Sequence, residues 1–300
     1  MFGQGNTHMI GPAVRKALLL FTALRLFFLP VFLSAAEEKE DFQAENLPLG
    51  IPLETDQILN RKGFSLGYSY RHRQALWVGY VLRKEHLTGR KFRRPAVFKT
   101  DPAVKRTPVS TQEYNNTGLD RGHLAPAGDM AYSAEAIANS FFLSNISPQV
   151  PACNRGIWKR LESQVRKWAL REGALCIFTG PIFTSEKREQ TADASETLPL
   201  PGAFYKVILD MTPPMKMIGF IVPNRGSRER LPKFAVPVDE VEQRTGCDFY
   251  DRLEDELEER LESATDFVCW FVPAGQTGTR RSAESVAPDA KVLEKPRRTE

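Results

Sequence analysis

The chain has 300 residues, of which 42% are hydrophobic and 26% are charged, and its formal net charge at pH 7 is +4. This composition is ordinary for a soluble globular protein with one sizeable domain. A net charge this small does not by itself indicate a nucleic-acid-binding protein. The four cysteines lack the paired spacing of zinc ligands, which argues against a zinc site.

An apolar segment lies near the amino terminus. Arg15 and Lys16 precede a largely apolar run over residues 17–33, and small residues up to Ala36 follow it. This order is typical of a secretory signal peptide over residues 1–36, so we expect a secreted or periplasmic protein with no stable membrane association after cleavage. Arg25 interrupts the run, which leaves an uncleaved anchor facing outside and a mitochondrial presequence as alternatives.

The first predicted elements of the domain are two strands, over residues 64–70 and 75–82, whose alternating pattern favours a hairpin. A basic region follows. Removal of residues 1–36 lowers the formal charge from +4 to +1, so only a local cluster of positive charges such as this one could attract a polyanion. A patch there would follow phosphates without selecting bases, whereas a solvated surface balanced by acids elsewhere is the alternative. The region comprises Arg71, Arg73, Arg83, Lys84, Arg90, Lys91, Arg93, Arg94, Lys99, Lys105 and Arg106.

The segment Asp120-Arg121-Gly122-His123 carries the clearest chemical signal. A histidine with a pKa of about 6.5 can take a proton near neutral pH, so His123 is a candidate general base. Arg121 presents a planar set of donors that matches two phosphate oxygens, and Gly122 leaves room for a ligand to approach the backbone. On this segment alone, a tight turn with an incidental histidine is the alternative.

The following residues predict a strand, a loop and a helix. The strand is expected over residues 141–148, and apolar residues at helical spacing then continue to Gly173. Asn154 falls near the helix start, where its amide oxygen either suits Mg²⁺ or caps the helix. Glu162 lies within about 80° of Asn154 around an ideal helix, so both can face one site, although a solvated carboxylate is the alternative.

Three more strands and two helices are predicted after this helix. The whole pattern gives an α+β fold, with a mainly antiparallel central sheet flanked by helices. A leucine row in the last helix, with leucines four residues apart, favours packing over a partner site. The predicted elements cover residues 175–179, 204–211, 217–222, 238–245 and 252–263.

These segments together resemble the DNA/RNA non-specific endonuclease family, whose active site is a ββα-metal finger. The resemblance rests on Asp120-Arg121-Gly122-His123, on Leu143-Ser144-Asn145-Ile146-Ser147-Pro148-Gln149, and on Asn154 followed by Trp158, Leu161 and Glu162. It extends over residues 60–272. It implies that His123 is the general base and that Asn154 binds the metal, with Arg121, Asn145 and Glu162 as supporting site residues.

The same resemblance implies hydrolysis of phosphodiester bonds in DNA and RNA, with Mg²⁺ as cofactor, Mn²⁺ as a substitute and 5′-phosphate ends as products. Contacts to the phosphate backbone and a homodimer are implied as well. Related nucleases carry a site arginine just before the Lys-Thr-Asp-Pro segment, where this chain has Ala96 and Val97, so we select Arg94 slightly upstream. For Arg94, the alternative to a site role is a solvated basic loop. For Asn145, the alternative to a catalytic role is stabilisation of the finger loop. Arg121 either binds phosphate or braces the site.

A catalytically silent nucleic-acid-binding or envelope protein with the same finger is the competing function. For the rest of the chain, we expect a lead segment over residues 37–59, a nuclease domain over 60–273 and a disordered tail over 274–300. Cys247 and Cys269 are the candidate disulfide, and Cys153 and Cys176 are expected to be buried thiols.

Overall fold

The computed structural model describes Met1 and residues 42–183 and 198–271. The strands in this part of the chain are β1 (Gln57–Arg61), β2 (Phe64–Ser69), β3 (Gln74–Arg83), β4 (Asp120–His123), β5 (Ile146–Gln149), β6 (Ala174–Ile182), β7 (Ala203–Asp210), β8 (Lys216–Pro223) and β9 (Ala235–Val236). Seven of them form one antiparallel sheet in the order β1-β2-β3-β6-β7-β8-β9, and β4 pairs separately with β5. The predicted α+β class is confirmed.

Helices cover both faces of the large sheet. Among residues 42–183 and 198–271, no helix has the length and apolar character that a membrane crossing requires. Short 3₁₀ turns lie at Thr111–Tyr114, Leu143–Asn145 and Leu231–Phe234, and a π-helical turn lies at Cys153–Trp158. The helices are α1 (Lys84–Thr88), α2 (Ala127–Met130), α3 (Ala134–Asn139), α4 (Lys159–Glu172), α5 (Val238–Thr245), α6 (Asp255–Glu262) and α7 (Val268–Phe271).

Alternate residues of the sheet divide the core into two layers, as the period of two in a strand requires. On one face, Tyr80 and Phe220 belong to a buried cluster with Trp168 of α4. On the other, Trp77 and Tyr205 belong to a cluster that includes residues of α5 and α6. Leu124 and Phe141, which flank the finger strands β4 and β5, belong to the same cluster as α4, so the finger lies on this face of the sheet.

The predicted strands and late helices are close to the observed ones, with two differences. The strand expected over residues 141–148 is instead a 3₁₀ turn followed by the short strand β5. The helix predicted over residues 252–263 corresponds to α6, which begins at Asp255. The Glu254 side chain caps it by accepting hydrogen bonds from the backbone of Glu256 and Leu257. Leu253 and Leu261 are buried, which confirms that the leucine row packs.

The core extends further towards the amino terminus than residue 60, because Leu47 and Leu49 are buried in the cluster behind the sheet. The predicted disulfide is wrong, since all four cysteines are free thiols. Cys247 packs in the α5–α6 cluster, whereas Cys269 packs against the cluster on the opposite face. The proposed signal peptide, apart from Met1, and the whole of the tail expected over residues 274–300 lie outside the described residues.

Candidate active site

Two short antiparallel strands build the first half of the site. In the β4–β5 pair, Gly122 lies opposite Ser147 and His123 lies opposite Ile146. A side chain at position 122 would collide with Gln149, because a Cβ placed there lies 2.3 Å from the Gln149 Oε1 atom. Gly122 is therefore required by packing inside the finger, rather than by the approach of a ligand.

The candidate metal ligand is oriented by the first residue of the same motif. Nδ2 of Asn154 donates a hydrogen bond to Oδ2 of Asp120 at 2.8 Å. Because a carboxylate only accepts, the amide nitrogen must face Asp120, and this leaves Oδ1 of Asn154 available for a cation. Arg155 also binds Asp120, through Nε at 2.8 Å and Nη2 at 2.5 Å. These hydrogen bonds hold the pKa of Asp120 below its usual value.

His123 has an aromatic environment and an unpaired nitrogen. Its ring lies 5.0 Å from the Phe141 ring, edge to face, and 5.3 Å from the Phe98 ring. Nε2 is inaccessible to solvent and has no hydrogen-bond partner among the described residues. Burial, together with the charge of Arg94, lowers the pKa of His123 to about 3. The imidazole is therefore neutral near neutral pH, and in this environment it is a weak base.

Arg94 reaches the site although it is displaced in sequence. Its guanidinium carbon lies 5.4 Å from the centre of the Phe141 ring, which also contacts His123. The Lys99–Phe142 bridge holds this segment against the finger, with the backbone nitrogen of Lys99 donating to the Phe141 carbonyl at 3.0 Å. Arg94 is exposed, so its charge is available to an anion beside His123.

Glu162 interacts with a group of charged side chains, namely Asp129, Arg166 and Lys206. Asp129 accepts hydrogen bonds from Tyr80 Oη at 3.0 Å and from Arg166 Nη1 at 2.9 Å. Lys206 is completely buried, and its Nζ has no hydrogen-bond partner among the described residues. Burial and the charge of Asp129 raise the pKa of Glu162, whereas Lys206, Arg166 and Arg94 oppose this rise.

The relation predicted between Asn154 and Glu162 does not hold as calculated. Gly156 has φ −103° and ψ −107°, which interrupts the helix between them. Asn154 therefore lies on a π-helical turn, outside the regular helix on which Glu162 lies. The 80° offset of an ideal helix does not apply across this break.

Arg121 and Asn145 are engaged in holding the finger. Nη2 of Arg121 donates to the Thr111 carbonyl at 2.9 Å, and its guanidinium lies 5.3 Å from the Tyr114 ring. Asn145 is completely buried. Its Oδ1 accepts a hydrogen bond from the Ala125 backbone nitrogen at 2.9 Å, and its Nδ2 donates one to the Ala125 carbonyl at 3.0 Å. These contacts favour bracing by Arg121 and loop stabilisation by Asn145.

Asp120, Arg166 and Lys206 were not predicted as site residues from the sequence. Asp120 precedes Arg121 in the motif, and its carboxylate was recognisable as a partner for an amide on the next helix. Arg166 follows Glu162 by one helical turn, a spacing that places two side chains on one helix face. Lys206 could not be found this way, because nothing in its strand indicates a buried ammonium group.

A basic groove of about 540 Å³ begins beside the finger. Arg155, which binds Asp120, forms its near end, and the exposed face of α4 forms one wall. The residues that line it include five with positive charges and none with a negative charge, so it is suited to an anionic ligand. The five are Arg155, Lys159, Arg160, Lys167 and Arg230.

Comparison with known proteins agrees with this geometry. A model of the DNA/RNA non-specific endonuclease family matches residues 43–256. The mitochondrial nuclease EXOG of Mus musculus is 31% identical over 268 residues, covering 83% of this chain and 73% of the mouse protein. "Nuclease C1" of Cunninghamella echinulata is 35% identical over 225 residues, covering 69% of this chain and 88% of the fungal protein.

A solved structure of an EndoG/EndoGI complex has the same fold, with a TM-score of 0.65 and 26% identity. The match covers 71% of this chain and 93% of the chain in that structure. Fold and sequence similarity thus extend over most of the described residues. The chain belongs to the DNA/RNA non-specific endonuclease family and is a hydrolytic nuclease.

Proposed function

We propose that this protein is an Mg²⁺-dependent endonuclease that cleaves DNA and RNA and leaves 5′-phosphate ends. The observation that carries the proposal is the pairing of a neutral His123, whose Nε2 has no partner among the described residues, with an Asn154 amide fixed by Asp120. A general base and a hard neutral oxygen ligand are the groups that such hydrolysis requires.

His123 takes a proton from the attacking water. The ring is held by Phe98 and Phe141 and is not blocked by a competing hydrogen bond among the described residues. A phosphate anion next to the ring raises the low pKa of His123, because a nearby negative charge favours imidazolium. Arg94, on the other side of Phe141, supplies a positive charge to the same phosphate.

Asn154 is the direct ligand in this proposal, and Mg²⁺ would keep several of its waters, as that ion usually does. When bound, Mg²⁺ supplies charge stabilisation for the crowded phosphate and the leaving oxygen. Glu162 orients water on the opposite side of the site. The buried ammonium of Lys206, which lies 5.1 Å from the Trp158 ring, acts on Glu162 as a fixed countercharge.

The phosphate backbone of a long substrate follows the basic groove along α4. The groove starts at Arg155, next to Asn154, so a strand cleaved at the finger would continue over Lys159 and Arg160. Contacts of this kind do not select bases, which agrees with a nuclease that accepts several nucleic acids.

The activity is tested by digestion of double-stranded DNA, single-stranded DNA and RNA with Mg²⁺, with Mn²⁺ and with a chelator. We expect cleavage of all three substrates with either metal, none with the chelator, and fragments that a ligase joins without a kinase. Binding without cleavage under every condition would instead support the catalytically silent protein.

The groove is tested with the double variant Arg160→Gln and Lys167→Gln. We expect a higher KM for plasmid DNA and a smaller salt dependence, with kcat unchanged, because each phosphate contact adds to the salt slope. The matched control is Lys105→Gln with Arg106→Gln, two exposed cations of the basic region upstream of the motif. A larger change in KM and salt dependence in the control variant would indicate that the substrate binds along that region instead.

Two further features belong to this proposal. The amino-terminal segment directs the protein to a secreted or periplasmic location, and the mitochondrial destination of relatives such as mouse EXOG is the alternative. Amino-terminal sequencing of the mature protein distinguishes cleavage after Ala36 from an uncleaved anchor. A homodimer is the expected assembly, and sedimentation equilibrium measures it.

A further inference from the structure

Three carboxylates converge behind the sheet, on the face opposite the finger. Asp239 and Glu242 lie on α5, and Glu262 lies at the end of α6. One oxygen from each lies within 4.8 Å of the other two. Three oxygens this close together can bind one Ca²⁺ ion, because each ligand oxygen lies about 2.4 Å from the metal.

Glu262 indicates that this group is more than a solvated acidic surface. The residue is only 7% exposed, and its Oε1 atom is inaccessible to solvent and has no hydrogen-bond partner among the described residues. A buried carboxylate oxygen without a partner is energetically costly, so native proteins normally satisfy it. Glu242 is held in place from one side, because its Oε1 accepts a hydrogen bond from the backbone of Phe249 at 2.7 Å.

The charge around this group is unbalanced. The strongest charged influences on Glu262 are all carboxylates, namely Glu242, Glu258, Asp239 and Asp248. Arg244, the basic residue in the last turn of α5, is paired with Glu240 at 2.6 Å. Burial and this repulsion raise the pKa of Glu242 to about 7 and that of Glu262 to about 9. A cation between the carboxylates would take the place of the protons that these raised pKa values favour.

We propose that Asp239, Glu242 and Glu262 bind a divalent cation, Ca²⁺ in preference to Mg²⁺, at a structural site that joins α5 to α6. The donors are all oxygens, which excludes a soft metal. Ca²⁺ accepts irregular sets of six to eight oxygens and can complete this one with water, whereas Mg²⁺ demands near-ideal octahedral geometry. The site lies on a different face of the sheet from the finger, so it acts on stability and leaves the chemistry to His123.

The test is Ca²⁺ titration of the chelator-treated full chain, followed by calorimetric binding and by thermal unfolding. We expect one Ca²⁺ site that raises Tm by about 5–10 °C at one hundred times the Kd, with a smaller response to Mg²⁺. Glu262→Gln should abolish both the binding heat and the shift. Asp239→Asn, at an exposed position, should weaken the site without disturbing the fold.

Two controls identify the source of the signal. Glu240→Gln, on the same helix but outside the group, should respond to Ca²⁺ like the wild type. Asn154→Ala should keep the Ca²⁺ response while losing Mg²⁺-dependent cleavage, so the outcome is independent of the proposed nuclease mechanism. An unresponsive wild type, or a Glu262→Gln variant with the full response, would overturn the site. A stabilising Glu262→Gln substitution with no Ca²⁺ response would instead show a proton shared between Glu242 and Glu262.

Discussion

Asp120 determines how the candidate metal ligand is presented. Its carboxylate fixes the Asn154 amide, and partners of this kind typically contribute 10- to 100-fold to metal affinity. For Asp120→Ala, we therefore expect the Mg²⁺ concentration for half-maximal cleavage to rise by about 10- to 100-fold with little change in Tm. Arg155→Gln, which leaves the Asp120–Asn154 bond in place, should have a smaller effect on Mg²⁺ activation. An unchanged Mg²⁺ midpoint in Asp120→Ala would refute the positioning role.

His123 should show a distinctive titration. Its pKa is about 3 in the folded, ligand-free protein and about 6.5 in an unfolded chain. Between these values the unfolded chain binds a proton that the folded chain does not, so folding stability falls as the pH drops from about 6.5 towards 3. We expect the His123 ring signals in NMR to stay those of neutral imidazole at pH 5. A midpoint near pH 6.5 in the metal-free protein would contradict this environment.

The sequence allowed single residues to be identified where the chemistry is local. The motif at Asp120–His123 was sufficient to select His123 as a candidate. Arg94 was selected from its position before Lys99, and its guanidinium lies beside the Phe141 ring that also contacts His123. The buried Lys206 was not predictable, because its position beneath Glu162 depends on the pairing of distant strands with α4. The bracing contacts of Arg121 likewise depend on the 3₁₀ turn at Thr111–Tyr114.

Among the elements, the start of α4 differs most from expectation. Apolar spacing predicted one continuous helix, whereas Gly156 breaks it and leaves Asn154 on a π-helical turn. Periodicity reports which residues are buried, but it does not report a single backbone break. The strands β2, β3, β7 and β8 were predictable because alternation and turn residues act locally, whereas the short strands β1 and β9 carry too few residues for a clear pattern.

Trp270 is the most deeply buried residue of the short helix α7, whose Phe271 also contacts the Trp168 ring. Trp270 is 1% exposed, stacks edge to face on Trp168 with ring centres 5.0 Å apart, and its backbone carbonyl accepts from Trp168 Nε1. Trp270→Ala should lower the free energy of unfolding by about 3–5 kcal/mol without changing KM. Val268→Ala, at an exposed position on the same helix, should cost less than about 0.5 kcal/mol. Urea denaturation measures both, and equal effects would show that α7 is not anchored by Trp270.

At the scale of the molecule, the sheet separates two kinds of surface. One face carries the finger, α4 and the basic groove, and the other carries α5, α6 and the three carboxylates. The formal net charge of +4 does not show this local clustering of charge. In the proposed function, the local charge of the groove, rather than the total charge, explains how the protein binds a polyanionic substrate.

The central claim is that His123 is the general base, and the most direct measurement compares plasmid cleavage by wild type, His123→Ala and His86→Ala at saturating Mg²⁺. His86, which stacks on Tyr132, is the matched control because it contacts none of the finger residues described above. We predict that His123→Ala keeps the circular dichroism spectrum and Tm of the fold but loses about 10²- to 10⁴-fold in kcat, while His86→Ala cleaves like the wild type. Wild-type turnover by a folded His123→Ala enzyme would contradict the account.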